Sequence, residues 1–316
     1  MAESNQSDVS VRAAGSSDAW QILRRTDGAP GITTNMDNPN EIDSSGQDSS
    51  MLLTSITVGG DISIAFSAVT FDLLIRNVMG SDWVTDGTDP NKSTIVIGQD
   101  TPKLEFLVRY KDVAKGYLIG DANVSQMQLS LSAGGMLTGS FSTVGEDYDA
   151  DYDYSADTFD AETTTKVFNC AQDVNAITIV GDGTNITDVC VNTMDLTINR
   201  NYQEDACIGH LVAHQFKGTA QVTGNISLAL TPATFSLLDN SIKEREFTVS
   251  IDMDDGDADN DPVNVYLFEL FRAKFGVEMP SDGRDAVLRP AISFTALKDP
   301  TVNSSIRITR TLAEAA

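Results

Sequence analysis

Two runs of alternating aspartates carry the strongest coordination chemistry in the chain. Asp147-x-Asp149-x-Asp151-x-Asp153 and Asp255-Gly256-Asp257-x-Asp259-x-Asp261 could each gather hard oxygen ligands around calcium. Both lack the glycine at the sixth position and the glutamate at the twelfth that an EF-hand loop requires. A solvated acidic loop with weak cation uptake is therefore the leading reading. Cys190, Cys207, His210 and His214 include a Cys-x2-His-x3-His spacing with a superficial likeness to zinc ligands. Zinc fingers hold their cysteines close together, whereas 16 residues separate these two. Buried thiols with surface or interface histidines are the simpler expectation.

His210 and His214 are the only 2 histidines, which limits general acid–base chemistry. No Gly-x-Ser-x-Gly elbow, phosphate-binding glycine loop or His-Glu-x-x-His motif occurs. Carboxylate pairs are too abundant to indicate hydrolysis. The sequence therefore assigns no catalytic, cofactor-binding or metal-ligating residue, and no enzyme is expected.

The elements that would position these residues carry a repeat. Residues 58–74 (VGGDISIAFSAVTFDLL) recur 164 positions later as residues 222–238 (VTGNISLALTPATFSLL), with nine of 17 positions identical. Unrelated segments would share about one identity, so a duplicated structural unit is expected. Such duplication suits a surface or a ring better than a single pocket.

Alternation at Ile56, Val58, Ile62, Ile64 and Phe66 predicts a strand, and Phe71, Leu74 and Val78 predict a short helix over 70–79. Further strands are expected at 94–97, 103–110, 124–131 and 136–144, with a turn at Gly134-Gly135. The second half repeats the order: strands at 194–199 and 222–230, a helix over 233–242, then strands at 247–252, 263–271, 287–297 and 305–311. The expected organisation is a flexible N-terminal arm at 1–17 and a first unit at 18–145. An acidic linker or insert follows at 146–186, then a second unit at 187–316. Within the first unit, 18–25 is expected as a strand carrying Trp20 and Leu23, with extended loop from there to Ser50.

With 46 acidic against 21 basic side chains the net charge is −25. Of the acids 35 are Asp, a loop-favouring residue. Such a chain does not bind nucleic acid through phosphates and would repel DNA. Solubility, or adaptation to salty water, explains the charge equally well. Three cysteines make no disulfide framework and fit assembly in a reducing cytoplasm. No signal peptide and no membrane-spanning run is read from the sequence.

Several stretches in order resemble the tail tube (major tail) proteins of long-tailed bacteriophages. They are Val58-Gly59-Gly60-Asp61-Ile62 leading into Thr70-Phe71-Asp72-Leu73-Leu74, and Val124-Ser125-Gln126-Met127-Gln128-Leu129-Ser130-Leu131 followed by Leu137-Thr138-Gly139-Ser140-Phe141-Ser142. Met194-Asp195-Leu196-Thr197-Ile198-Asn199, Ile208-Gly209, Val222-Thr223-Gly224-Asn225-Ile226 and Ile306-Arg307-Ile308-Thr309-Arg310 continue the pattern. The likeness spans about residues 18–311, and the acidic runs at 146–162 and 252–261 depart from it.

The resemblance implies a mainly β fold of two tandem β-sandwich units, each with a short helix. Inner strands would join a ring-shaped β-barrel on assembly. It implies a virion protein, assembled in the host cytoplasm, whose stacked rings form a conduit for genome DNA. The implied partners are other copies of the chain, the tape-measure protein, the tail terminator and distal tail proteins. Because rings of this family usually show six units, a duplicated chain implies a trimer with pseudo-sixfold symmetry; the alternative is a hexamer. A competing expectation is a virion decoration or receptor-binding β-sandwich with cation-binding acidic loops.

Overall fold

A computed structural model describes residues 6–39, 47–48, 50–181, 184–186, 190–256, 263–279 and 287–313. The first half contains β1 (Ser7–Ala13), β2 (Gln21–Ile22), β3 (Arg25–Asp27), β4 (Gly31–Asp37), β5 (Leu52–Ala65) and α1 (Asp72–Met79). It continues with β6 (Val84–Thr85), β7 (Lys92–Val96), β8 (Leu104–Tyr110), β9 (Lys115–Ser132), β10 (Thr138–Val144) and β11 (Asp147–Asp149). The second half contains β12 (Val174–Gly181), β13 (Thr184–Ile186), β14 (Val191–Asn199), β15 (Gln203–Asp205), β16 (His214–Phe216) and β17 (Gln221–Leu228). After these come α2 (Pro232–Ile242), β18 (Phe247–Asp254), β19 (Val265–Glu278), β20 (Ala291–Ala296) and β21 (Arg307–Thr311). The fold is mainly β.

The two halves share one topology. In the first, β5 pairs with β10, β10 with β9, β9 with β8 and β8 with β1, all antiparallel. In the second, β17 pairs with β20, β20 with β19, β19 with β18 and β18 with β12. Register repeats as well. Ile62 faces Phe141, which faces Met127, while Ile226 faces Ile292, which faces Val277. Strands β3 and β4 together match β14, including a bulge between Arg25 and Asp27 that recurs between Val191 and Thr193.

Each unit folds around one long strand. The first part of β9 pairs with β8 and β11, and its second part with β10. Val9, Val11, Phe106, Val108 and Ile119 of the outer layer thus meet Ile62, Ile64, Met127 and Phe141 of the inner layer in one core. Truncating a ring such as Phe141 to alanine would cost about 3–5 kcal/mol.

Helix α1 presents Leu74, Ile75 and Val78 to this core and stops at Gly80 in the left-handed conformation. Helix α2 starts on Thr231, whose side chain accepts from the Thr234 backbone N–H, with Pro232 at the first helical position. One glycine of the repeat has a packing role in both units. A Cβ on Gly224 would lie 2.0 Å from the Asp195 carbonyl oxygen, and one on Gly60 3.1 Å from that of Ala29. Only glycine lets the preceding strand pass this closely.

Three expectations need correction. Against a flexible arm over 1–17, Ser7–Ala13 is a strand on β8, with Val9 and Val11 fully buried. Its two alternating valines are enough because β8 supplies a complementary edge. Against extended loop up to Ser50, Gly31–Asp37 pairs along β5, where Ile32, Thr33 and Thr34 favour strand.

The acidic stretch 146–186 is not an independent insert either. Its Asp147–Asp149 pairs antiparallel with the first part of β9, and Trp20 bridges Phe159; its Val174–Gly181 pairs with β18 of the second half. Ring contacts anchor it, and cations such as Arg12 and Lys103 offset part of its charge. The Arg109 guanidinium lies 3.4 Å from the Phe159 ring centroid, and Arg12 pairs with Asp157 at 3.7 Å. Among smaller differences, 263–271 extends to the full strand Val265–Glu278, whereas 287–297 shortens to Ala291–Ala296. The expected strand at 18–25 reduces to Gln21–Ile22 beside the fully buried Trp20, with Leu23 buried after it.

Candidate functional site

The inner layers of the two halves join into one sheet. Strand β9 pairs with β14 through Gln126 opposite Asn199, Met127 opposite Ile198 and Gln128 opposite Thr197. The order across the sheet is β4, β5, β10, β9, β14, β17, β20, β19, which makes eight strands with β3 continuing β4.

Strand alternation sends Ile62, Phe141, Met127, Ile198 and Ile226 to the core and their neighbours to the opposite face. That opposite face is polar from edge to edge. One row of directly opposed residues runs Asp61, Ser142, Gln126, Asn199 and Gln221. A second runs Ser63, Ser140, Gln128, Thr197, Thr223, Thr295 and Lys274. A third runs Thr138, Ser130, Asp195, Asn225, Ser293 and Gly276. Side chains within the rows bond to one another: Ser130 Oγ donates to Asp195 Oδ1 at 2.6 Å, and Asn199 Nδ2 to Gln126 Oε1 at 3.3 Å.

Across these three rows, Lys274 is the one cation, and Glu244 pairs with it at 3.3 Å. Hydroxyls, amides and a few carboxylates make a surface that gives a polyanion nothing to bind. The large negative charge of the chain lies mostly elsewhere.

The join between the halves is reinforced on its core side. Tyr266 of β19 donates to Asp72 Oδ1 at the start of α1 at 2.8 Å, and accepts from the Val69 N–H at 3.0 Å. Arg310 pairs with Asp72 and stacks 4.2 Å over the Trp83 ring. Burial pushes the Asp72 carboxyl above its ordinary range, and Arg310 and Tyr266 pull it back only in part. Burial likewise pushes the Tyr266 phenol well up, keeping it a hydrogen-bond donor. Strands β21 and β7 pair across the same join.

At the two ends of the sheet the edges are open. Among the described residues β4 pairs only with β5, and residues 276–278 of β19 pair only with β20. The end of β4 and the start of β5 expose Met36, Met51, Leu52 and Leu53.

None of the coordination motifs singled out from sequence falls in these three rows. Asp149 and Asp153 accept backbone N–H bonds from Asp151 and Ser155 at 3.1 and 3.0 Å, and Asp151 pairs with Lys115 at 2.5 Å. Asp255 accepts twice from Asn264, each at 2.7 Å, and Gly256 N donates to Asp254 Oδ1 at 3.1 Å; Asp257, Asp259 and Asp261 lie outside the described residues. Cys190 and Cys207 are exposed, and the His210 and His214 rings stand 5.6 Å apart, one before and one at the start of β16. Among the described residues no three metal-ligating side chains converge. No helix there is long and apolar enough to cross a membrane.

The polar face escaped the sequence reading, although alternating Ser, Thr, Asn and Gln between apolar residues in 124–131 and 222–228 carried the signal. No curated protein sequence matches the chain at a significant level. The family model described as phage tail tube protein matches residues 5–296, nearly the whole length. The chain therefore belongs to the phage tail tube proteins, a structural rather than an enzymatic family of the virion tail.

Proposed function

We propose that the chain polymerises into stacked rings whose channel is lined by the polar face, and that the phage genome passes through this channel. The observation that carries the reading is the eight-stranded sheet with two open edges. Exposed edges are an aggregation hazard unless a partner covers them, and ring closure covers both at once.

Closure is consistent with the register of the chain. Following the row from Asp61 leads to Gln221, whereas the repeat equivalent of Asp61 is Asn225. The sheet therefore shears by four residues over the four strands of one unit. A barrel continued with this register has equal shear and strand number, the ratio found in eight-stranded barrels tilted by about 36°. Three chains would supply 24 strands in pseudo-sixfold arrangement. At about 4.8 Å between strands and a tilt of about 36°, the backbone diameter is about 45 Å.

The exposed Met36, Leu52 and Leu53, at the end of β4 and the start of β5, are the proposed contact between rings. During assembly in the host cytoplasm the channel would hold the tape-measure protein, and the ring stack would end on the tail terminator and distal tail proteins. The chain would have no catalytic activity of its own.

Electron microscopy of the purified full-length chain tests this reading. Hollow filaments of uniform diameter are expected. A discrete oligomer that falls apart when calcium is chelated would instead favour a decoration or receptor-binding role for the acidic loops.

A further inference from the structure

The join inside the chain serves as a template for the join between chains, because the repeat makes each of its strands equivalent to one at an open edge. Ser63, Ile62 and Asp61 of the first unit correspond to Ser227, Ile226 and Asn225 of the second. Through β10 the first set leads to Gln128, Met127 and Gln126; through β20 the second set leads to Glu278, Val277 and Gly276. The first trio pairs with Thr197, Ile198 and Asn199 of β14, whereas the second is unpaired on that side among the described residues. By the same logic Thr197, Ile198 and Asn199, through β17, correspond to Gly31, Ile32 and Thr33, through β5.

We propose that residues 276–278 of one chain pair antiparallel with residues 31–33 of the next, Val277 opposite Ile32 and Gly276 opposite Thr33. This rests on the self-assembly proposed above.

Two further observations mark the edge of the second unit as an incomplete join. Asn77 of α1 accepts from the Val124 N–H at 2.6 Å just before β9 meets β14. Its repeat equivalent, Ser241 of α2, donates to the Phe275 carbonyl at 2.6 Å. Both helices thus cap the strand edge one step before the pairing region, and only the first unit has its pairing strand in place.

Burial is the second observation. Phe71 and Val78 are fully buried, Phe71 against Phe66 and Phe141 of its own unit, and Tyr266 of the second unit covers the start of α1. Their equivalents Phe235 and Ile242 are 55% and 73% exposed. A neighbouring chain seated on the β19 edge would lie over that surface, as the second unit lies over α1.

Disulfide trapping tests the register, in a background where Cys170, Cys190 and Cys207 are serine. Directly opposed strand residues lie within the Cα separation a disulfide tolerates. Q126C/N199C, at the internal join, should close within one chain and serves as the positive control. In assembled protein G276C/T33C should give covalent multimers on a denaturing gel, and the slipped pair G276C/N35C should not. Tubes that form but trap only the slipped pair, or neither, overturn the seam and leave the tube reading standing.

Should these variants not assemble, hydrogen exchange on the wild-type chain decides. Amides of 31–33 and 276–278 should exchange at least about tenfold more slowly in tubes than in monomer, the factor expected of a newly closed ladder. Unchanged exchange in tubes overturns the seam. A wild-type chain that never polymerises removes both readings together.

Discussion

The Tyr266 hydroxyl donates to Asp72 Oδ1 at 2.8 Å across the join between the two units. It also receives the N–H of Val69, a β-branched residue held at φ 69. This one hydroxyl serves two part-buried polar groups of the opposite unit, and φ above zero is strained for valine. Phe66 and Phe168 pack edge-on against the ring, so its apolar contacts do not depend on the oxygen.

Tyr266→Phe should therefore keep the fold and lose about 1–3 kcal/mol, the usual worth of hydrogen bonds to a charged and a backbone partner, with Arg310 still pairing Asp72. Chemical denaturation of the unassembled chain measures this. A variant as stable as wild type would show that Asp72 and Val69 find other partners.

The same join sets a pH dependence. The Asp72 carboxyl is raised above its ordinary 3.8 by burial, which outweighs Arg310 and Tyr266. The folded chain thus binds this proton more tightly than the unfolded chain. Its contribution to stability grows as pH falls through the folded pKa and is complete below the unfolded value. Wild type compared with Asp72→Asn should gain relative stability as the pH falls from neutral toward the ordinary carboxylate range. A difference that stays flat, or runs the other way, contradicts burial as the dominant cause.

What the sequence disclosed depended on how far apart the interacting residues lie. The repeat at 58–74 and 222–238 announced two equivalent units, and alternation found most inner strands, because both signals are local. Ser7–Ala13 stayed hidden because its partner, Leu104–Tyr110, lies about 100 residues away. The place of the acidic stretch is hidden for a similar reason: the groups that anchor it, Arg12 on Asp157, Trp20 beside Phe159 and Arg109 over the Phe159 ring, come from distant positions. The polar face was visible as alternation, but its continuity needs the β9–β14 register, which no composition reveals.

Glycine at position 224 is predicted to be indispensable. An alanine Cβ would sit 2.0 Å from the Asp195 carbonyl and 2.3 Å from the Phe294 ring. Gly224→Ala should cost about 1–3 kcal/mol through forced displacement. Gly87→Ala, with nothing within 4 Å, should leave the melting temperature unchanged. Equal behaviour of the two variants would contradict the close passage of β14 over β17.

The neutrality of the polar face can be reversed. Ser140 and Thr223 lie in one row, and lysine at both would put cations on every unit. Tubes of S140K/T223K should retain duplex DNA at low salt and release it as salt rises, with a steep logarithmic dependence. Wild-type tubes should retain none. Equal retention by both would mean that this face does not line the channel.

Cryo-electron microscopy of the assembled tube tests the central claim most directly. The account predicts three chains per ring, six similar units, and β9–β14 joins alternating with β19–β4 joins around a barrel of about 45 Å backbone diameter. Six chains per ring, or an inner wall built from the opposite face of the sheet, would contradict it.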